Sequence, residues 1–217
     1  MERTFNDYLS DVFFKVFIGL LITAAVAFGV YRLGLYENST LIYGSLIVEF
    51  ICVLVFTFTF RKLPKSIVYL LYLFYCALTG VAFSIYPLIY DGGSIILAIT
   101  ITTALFLSLA VYGHFTKRDL SKISTYLFFG LIGIIVSSII NLFLGNPMMD
   151  LIISCATIII FMGYTAFDTQ KLMTYYEWEK DGYDENYSIY GAFQLYLDYI
   201  NLFIEILKII GSSKDDD

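Results

Sequence analysis

The acids inside the apolar runs of this sequence are Glu49, Asp168, Asp198 and Glu205, with Arg61, at the end of the second run, read as the cation nearest to them by topology. On straight helices rising about 1.5 Å per residue, they form a ladder at roughly 7 Å (Asp168), 12 Å (Asp198), 17 Å (Glu49) and 22 Å (Glu205) from one membrane face. Asp168 and Asp198 come at similar depth from consecutive runs, so the two carboxyls are placed to face each other. Two carboxylates in a low-dielectric site do not both ionise cheaply, and such a pair shares a proton. That chemistry makes a proton sensor. Arg61, with a forked guanidinium suited to carboxylates, is a candidate latch on the ionised pair. Plainer roles stay open beside these: Glu49 as a protonated, hydrogen-bonded core residue, and Arg61 snorkelling to lipid head groups like Lys62 and Lys65.

The element that must carry this chemistry is residues 190–211, YGAFQLYLDYINLFIEILKIIG. Gln194, Asp198, Asn201, Glu205 and Lys208 recur there at steps of three and four, which places them on one stripe of a helix. A carboxylate in hydrocarbon is costly unless it faces protein, water or a partner charge, so the stripe must look into a bundle or a cavity. Asn201 and Glu205 of this stripe are then candidates to line an ion pathway. The other runs should form the wall around this helix.

Those runs are recognisable by length. The chain has 217 residues, 59% hydrophobic and 15% charged, where soluble domains carry about 25% charged residues. Seven apolar runs, near 13–33, 40–60, 66–87, 94–113, 123–144, 151–173 and 190–211, each approach the roughly 20 residues that a membrane helix needs. The expected fold is an all-α integral membrane protein, a single domain over 1–217, built as a seven-helix bundle with the polar-faced last helix at its centre. Short connectors make neighbouring helices antiparallel, and only 175–189, acidic around Trp178, reads as a longer loop. Ala25-Val26-Ala27 resembles a cleavage site, but the flank before it is net negative where a signal peptide is positive. The first run is therefore read as retained.

Charge sets orientation. Arg3, Lys15, Arg61, Lys62, Lys65, Lys117, Arg118, Lys122, Lys171 and Lys180 fall on the N-terminal side of the membrane, against Arg32, Lys208 and Lys214 on the other. The N-terminus is expected to be cytoplasmic, while the side that holds the tail, 214–217, stays open. A net charge of -6 with no basic run gives no case for nucleic acid. Cys52, Cys76 and Cys155 lie in separate runs and read as small core residues. His114 reads as interfacial. No nucleophilic triad, phosphate loop or metal-ligand cluster is present, and residues 194–198 lack the glycines of an intramembrane aspartyl protease, so no enzyme and no cofactor are expected.

Three motifs carry a resemblance: Ala166-Phe167-Asp168-Thr169-Gln170, Phe115-Thr116-Lys117-Arg118-Asp119-Leu120-Ser121, and Leu195-Tyr196-Leu197-Asp198-Tyr199-Ile200-Asn201-Leu202-Phe203. In this order, and with the seven-run layout, the chain resembles the Bax inhibitor-1 (TMBIM) family in its bacterial YetJ-like branch. The resemblance implies a helical membrane bundle whose last helix is surrounded by the others, in a bacterial cytoplasmic membrane. It also implies a pH-sensitive calcium leak with Asp168 and Asp198 as the di-aspartyl sensor, Arg61 as latch and Glu49 as a further acid on the pathway. Glu205 rests on the stripe alone. Phe167 stands where the family pattern has Tyr, which removes a hydroxyl beside the pair. The expected partners are lipid, protons and permeant Ca²⁺, with Asp168 and Asp198 as transient oxygen ligands. The alternatives are proton-coupled cation exchange and a regulator that binds other membrane proteins without transport.

Overall fold

The computed structural model describes residues 3–212; the tail, 214–217, and the side of the membrane expected for it lie outside the described residues. The described chain is helical without strands: α1 Phe5–Arg32, a 3₁₀ turn Leu35–Glu37, α2 Ser39–Thr59, α3 Lys65–Phe83, α4 Tyr86–Ile89, α5 Gly92–Phe115, α6 Ser121–Leu144, α7 Pro147–Lys180 and α8 Tyr187–Ser212. Local chemistry marks the ends. Thr4 and Asp7 form a reciprocal capping box on α1, Asn38 accepts from Leu41 N–H at the start of α2, and Asp91 accepts from Gly93 and Ser94 N–H at the start of α5. Each satisfies donors that a helix N-terminus leaves open. Gly145, at φ 59, closes α6 in the left-handed region, and Pro147 opens α7, where a missing N–H costs nothing.

Among the described residues, six helices are long and apolar enough to cross a membrane: α1, α2, α3 together with α4, α5, α6 and α7. The third is interrupted near Ser84, before Pro87, whose ring restricts the preceding residue and removes a donor. The seventh expected run, α8, falls outside that set because its polar stripe lowers its hydropathy. None of residues 186–211 is nevertheless exposed. By contrast α6 buries only Asn141 and turns an almost wholly apolar surface outward. One boundary differs from the sequence reading. Helix α7 continues through Glu177, Trp178 and Glu179 to Lys180, so the connector shrinks to residues 181–186. Residues 173–180 hold no Gly or Pro, and the helix stops only where Gly182 adopts φ 78.

The helices form two compact units. The first takes the chain up to Ile89 with Leu172–Tyr196. Its core sets Tyr8, Phe56, Tyr72, Cys76, Leu172, Phe193 and Tyr196 together, all at most 2% exposed. Helices α1 and α3 approach closely, since a Cβ on Gly80 would meet the Thr23 carbonyl. At one end Arg3 bonds both Asp11 and, at 2.7 Å, Glu179, tying the N-terminal residues to the end of α7. The second unit takes Tyr90–Lys171 and the chain from Leu197 onward. There α5 meets α7 where Gly113 packs on the Ala166 carbonyl, and α6 meets α7 through Gly163 on Leu127 and Gly130 on Ile160. Thr103 and Tyr199 hydroxyls, 2.9 Å apart, join α5 to α8.

Candidate functional site

Asp168 and Asp198 lie in the same unit, and both are buried, at 5% and 3% exposure. Asp168 rides on a stretch of α7 in which Thr165 returns its hydroxyl to the Phe161 carbonyl (2.8 Å) and Thr169 to that of Thr165 (2.7 Å). These threonines satisfy themselves within the helix and allow close packing. Two residues before Asp168, Ala166 carries the carbonyl that packs on Gly113. On α8, Asp198 is followed by Tyr199, which the Thr103 hydroxyl and an edge-on Phe106 ring, 5.5 Å between centroids, hold in place.

The two carboxyls are within electrostatic range of each other, and Tyr164, one turn before Asp168, is in range of both. Asp198 Oδ2 is buried with no hydrogen-bond partner, a condition that costs about 1–3 kcal/mol and calls for a proton, a cation or water at that oxygen. Lys171, at i+3 from Asp168, is the cation within range of the first carboxyl. Its ammonium also lies 5.4 Å from the centre of the Phe167 ring, a favourable face-on arrangement. The aromatic at 167 therefore positions a charge near the pair without offering it a hydroxyl.

The other sequence candidates sit as follows. Asn201 donates back to the Leu197 carbonyl at 2.7 Å. Glu205 is bound by Lys208 at 3.0 and 3.2 Å, so two members of the stripe neutralise each other. Both belong to the unit of the aspartates. Glu49 and Arg61 belong to the first unit. Glu49 accepts from the Thr79 hydroxyl of α3 at 2.6 Å. Arg61, just past α2, is 58% exposed and lies 4.0 Å from Asp184 in the connector between α7 and α8. That connector is pinned next to it, because Asn186 Nδ2 donates to the Phe60 and Leu63 carbonyls at 2.8 and 2.9 Å. Gln194 completes the stripe, accepting from the Tyr175 hydroxyl at 2.8 Å.

Sequence reasoning missed Lys171, Tyr164, Thr79 and Asp184. Lys171 was legible from its i+3 spacing to Asp168, whereas Thr79 and Asp184 meet their partners only through the fold. Among the described residues, no group of three or more His, Cys, Asp or Glu side chains is placed to hold a metal ion. The chemistry available at the aspartates is that of two buried carboxyl groups, able to offer oxygen ligands or to hold a proton.

A family model described as inhibitor of apoptosis-promoting Bax1 matches residues 5–215. The inner membrane protein YbhL of Escherichia coli K12 is 36% identical over 219 residues, covering 96% of this chain and 93% of that protein. An uncharacterized protein of Borreliella burgdorferi is 33% identical over 218 residues, covering 97% and 94%. A shorter match, to an uncharacterized protein of Rickettsia prowazekii, is 37% identical over 163 residues, 75% and 69% of the two chains.

Proposed function

The chain belongs to the Bax inhibitor-1 family, and we propose that it is a pH-sensitive calcium leak, a passive path for cations gated by Asp168 and Asp198 as a proton sensor. The observation that carries the reading is the buried pair itself, with one Asp198 oxygen lacking a hydrogen-bond partner. Ionised, the pair offers hard oxygen ligands to a divalent ion. Protonated, it loses that attraction and the repulsion between its members, so the packing of α7 against α8 changes with its charge. Calcium and protons compete for the same oxygens, and flux is greatest at intermediate pH.

In this reading α8 is a seventh span enclosed by the other helices, supported by the absence of exposed residues from 186 to 211. Asn201 and Glu205 continue the pathway along its polar stripe. Glu49 is a further acid on the route. Arg61, 4.0 Å from Asp184 of the connector in this structure, is the proposed latch on the ionised pair. The protein is a multi-pass membrane protein like its inner membrane relative, with the N-terminus proposed to be cytoplasmic.

The test is calcium entry into dye-loaded proteoliposomes between about pH 6 and pH 8, with wild type beside Asp198→Asn. Wild-type flux is expected to vary with pH and the variant's to be flat. Flux no greater than in empty liposomes would sink the leak. Flux that stops without an opposing proton gradient would replace it with exchange.

A further inference from the structure

A second polar centre lies in the first unit, apart from the aspartate pair, and hydrogen counting fixes its direction. The Thr23 hydroxyl of α1 is 3.0 Å from the Gly19 carbonyl, 2.9 Å from the Cys76 carbonyl and 2.6 Å from the Tyr196 hydroxyl of α8. Of these three neighbours only Tyr196 carries a hydrogen. The contacts are satisfied together when Thr23 gives its single hydrogen to a carbonyl and accepts from Tyr196. That leaves the Tyr196 oxygen free to accept but unable to donate elsewhere.

Beside Tyr196 stands Thr79 of α3, whose one hydrogen is directed at Glu49 Oε1, 2.6 Å away. Thr79 Oγ1 is also 3.2 Å from the Tyr75 carbonyl, and the Tyr75 side chain lies next to Glu49. An ionised Glu49 only accepts and holds the Thr79 hydrogen. A protonated Glu49 can donate to Thr79 Oγ1 instead, which frees the Thr79 hydrogen for the Tyr75 carbonyl or for the Tyr196 oxygen. The Tyr196 oxygen, whose own hydrogen goes to Thr23, keeps the acceptor capacity to receive it.

We propose that Glu49 is a second proton-binding site, and that its protonation redirects the Thr79 hydrogen from Glu49 to Tyr196, adding a hydrogen bond between α3 and α8. One proton is taken up from water at the Glu49 carboxylate. No covalent bond other than that O–H is made. The titratable groups facing Glu49 are Tyr75 and Cys76 of α3 and Cys52 of its own helix α2, none of them positively charged at neutral pH. The device senses acid at Glu49 and reports it to α8 two residues before Asp198, and it does not rest on the calcium reading.

The test uses the full chain in lipid nanodiscs with ¹³Cζ-labelled tyrosine, the Tyr196 signal being assigned by its loss in Tyr196→Phe. Titration across the pH range in which the protein stays folded is expected to shift that signal in wild type. The shift should vanish in Glu49→Gln and in Thr79→Val and persist in Asp198→Asn. In parallel, one component of the infrared carbonyl band of protonated carboxylic acids should appear on acidification in the Asp198→Asn background, be lost when Glu49→Gln is added and return at a different frequency with Glu49→Asp. A Tyr196 signal that is pH-independent, a shift that survives Glu49→Gln or Thr79→Val, or one abolished by Asp198→Asn would each overturn the proposal. The infrared band reads Glu49 directly where the tyrosine variant is too unstable to assign.

Discussion

Asp198 and Gly113 show how one residue sets a cost in opposite directions. Asp198 keeps a buried carboxyl oxygen without a hydrogen-bond partner, close to a second carboxyl. A sequence selected for stability alone would place an apolar side chain there. Asp198→Leu is therefore expected to stabilise the protein by about 1–3 kcal/mol, read as a raised midpoint of thermal unfolding in detergent at neutral pH. A lowered midpoint would mean that the carboxyl supports packing rather than being tolerated for function. Gly113 is constrained by shape: a Cβ there would overlap the Ala166 carbonyl, which is backbone and cannot turn aside. Gly113→Ala is expected to cost about 1–3 kcal/mol through overpacking and to disturb Asp168 two residues further on. An unchanged midpoint would show that α5 and α7 separate freely at this point.

At the scale of elements, the connector from α5 to α6 is held by one side chain. Gln170 of α7 accepts from Leu120 N–H at 2.9 Å and donates to the Arg118 carbonyl at 2.8 Å. Gln170→Ala is expected to leave the helices in place and to increase protease cleavage between residues 116 and 120, since it frees backbone groups worth about 1 kcal/mol each. Resistance equal to wild type would count against the clamp. Next to it, Asp119 accepts from the Ser121 N–H at 3.0 Å, and hydrogen bonding from the Ser121 side chain first, and from this N–H second, holds its carboxyl below the usual range. A carboxylate lowered on folding supports the cap above its ordinary value and loses it as pH falls through the lowered one. The Ser121 amide resonance should therefore move at acid pH in wild type and stay still in Asp119→Asn.

For the whole molecule, the separation of Lys and Arg to one side is the strongest statement about orientation. In a Cys155→Ser background, which removes the one exposed native thiol, single cysteines at positions 62 and 117 are expected to react with an impermeant reagent only from the cytoplasm. A cysteine at position 37 should react only from outside. The reverse pattern would invert the proposed topology.

Much of this organisation was legible beforehand because lipid is a demanding solvent. Six of the expected runs reappear as helices apolar enough to span, with bounds shifted by a few residues where caps and prolines decide, because backbone in hydrocarbon must bond to itself. The burial of Asp168 and Asp198 followed from the same rule, which forbids a carboxylate from facing lipid. What the sequence by itself determined was therefore set by local composition and by the solvent around it: helical class, number and rough extent of the apolar runs, and the acids that must turn inward. The tertiary structure alone decided which polar groups meet. Arg61 beside Asp184, Thr79 on Glu49 and the free oxygen of Asp198 depend on the rotation and close approach of helices distant in sequence, and side-chain hydrogen bonds over a few ångströms are too sensitive to those for periodicity to reach.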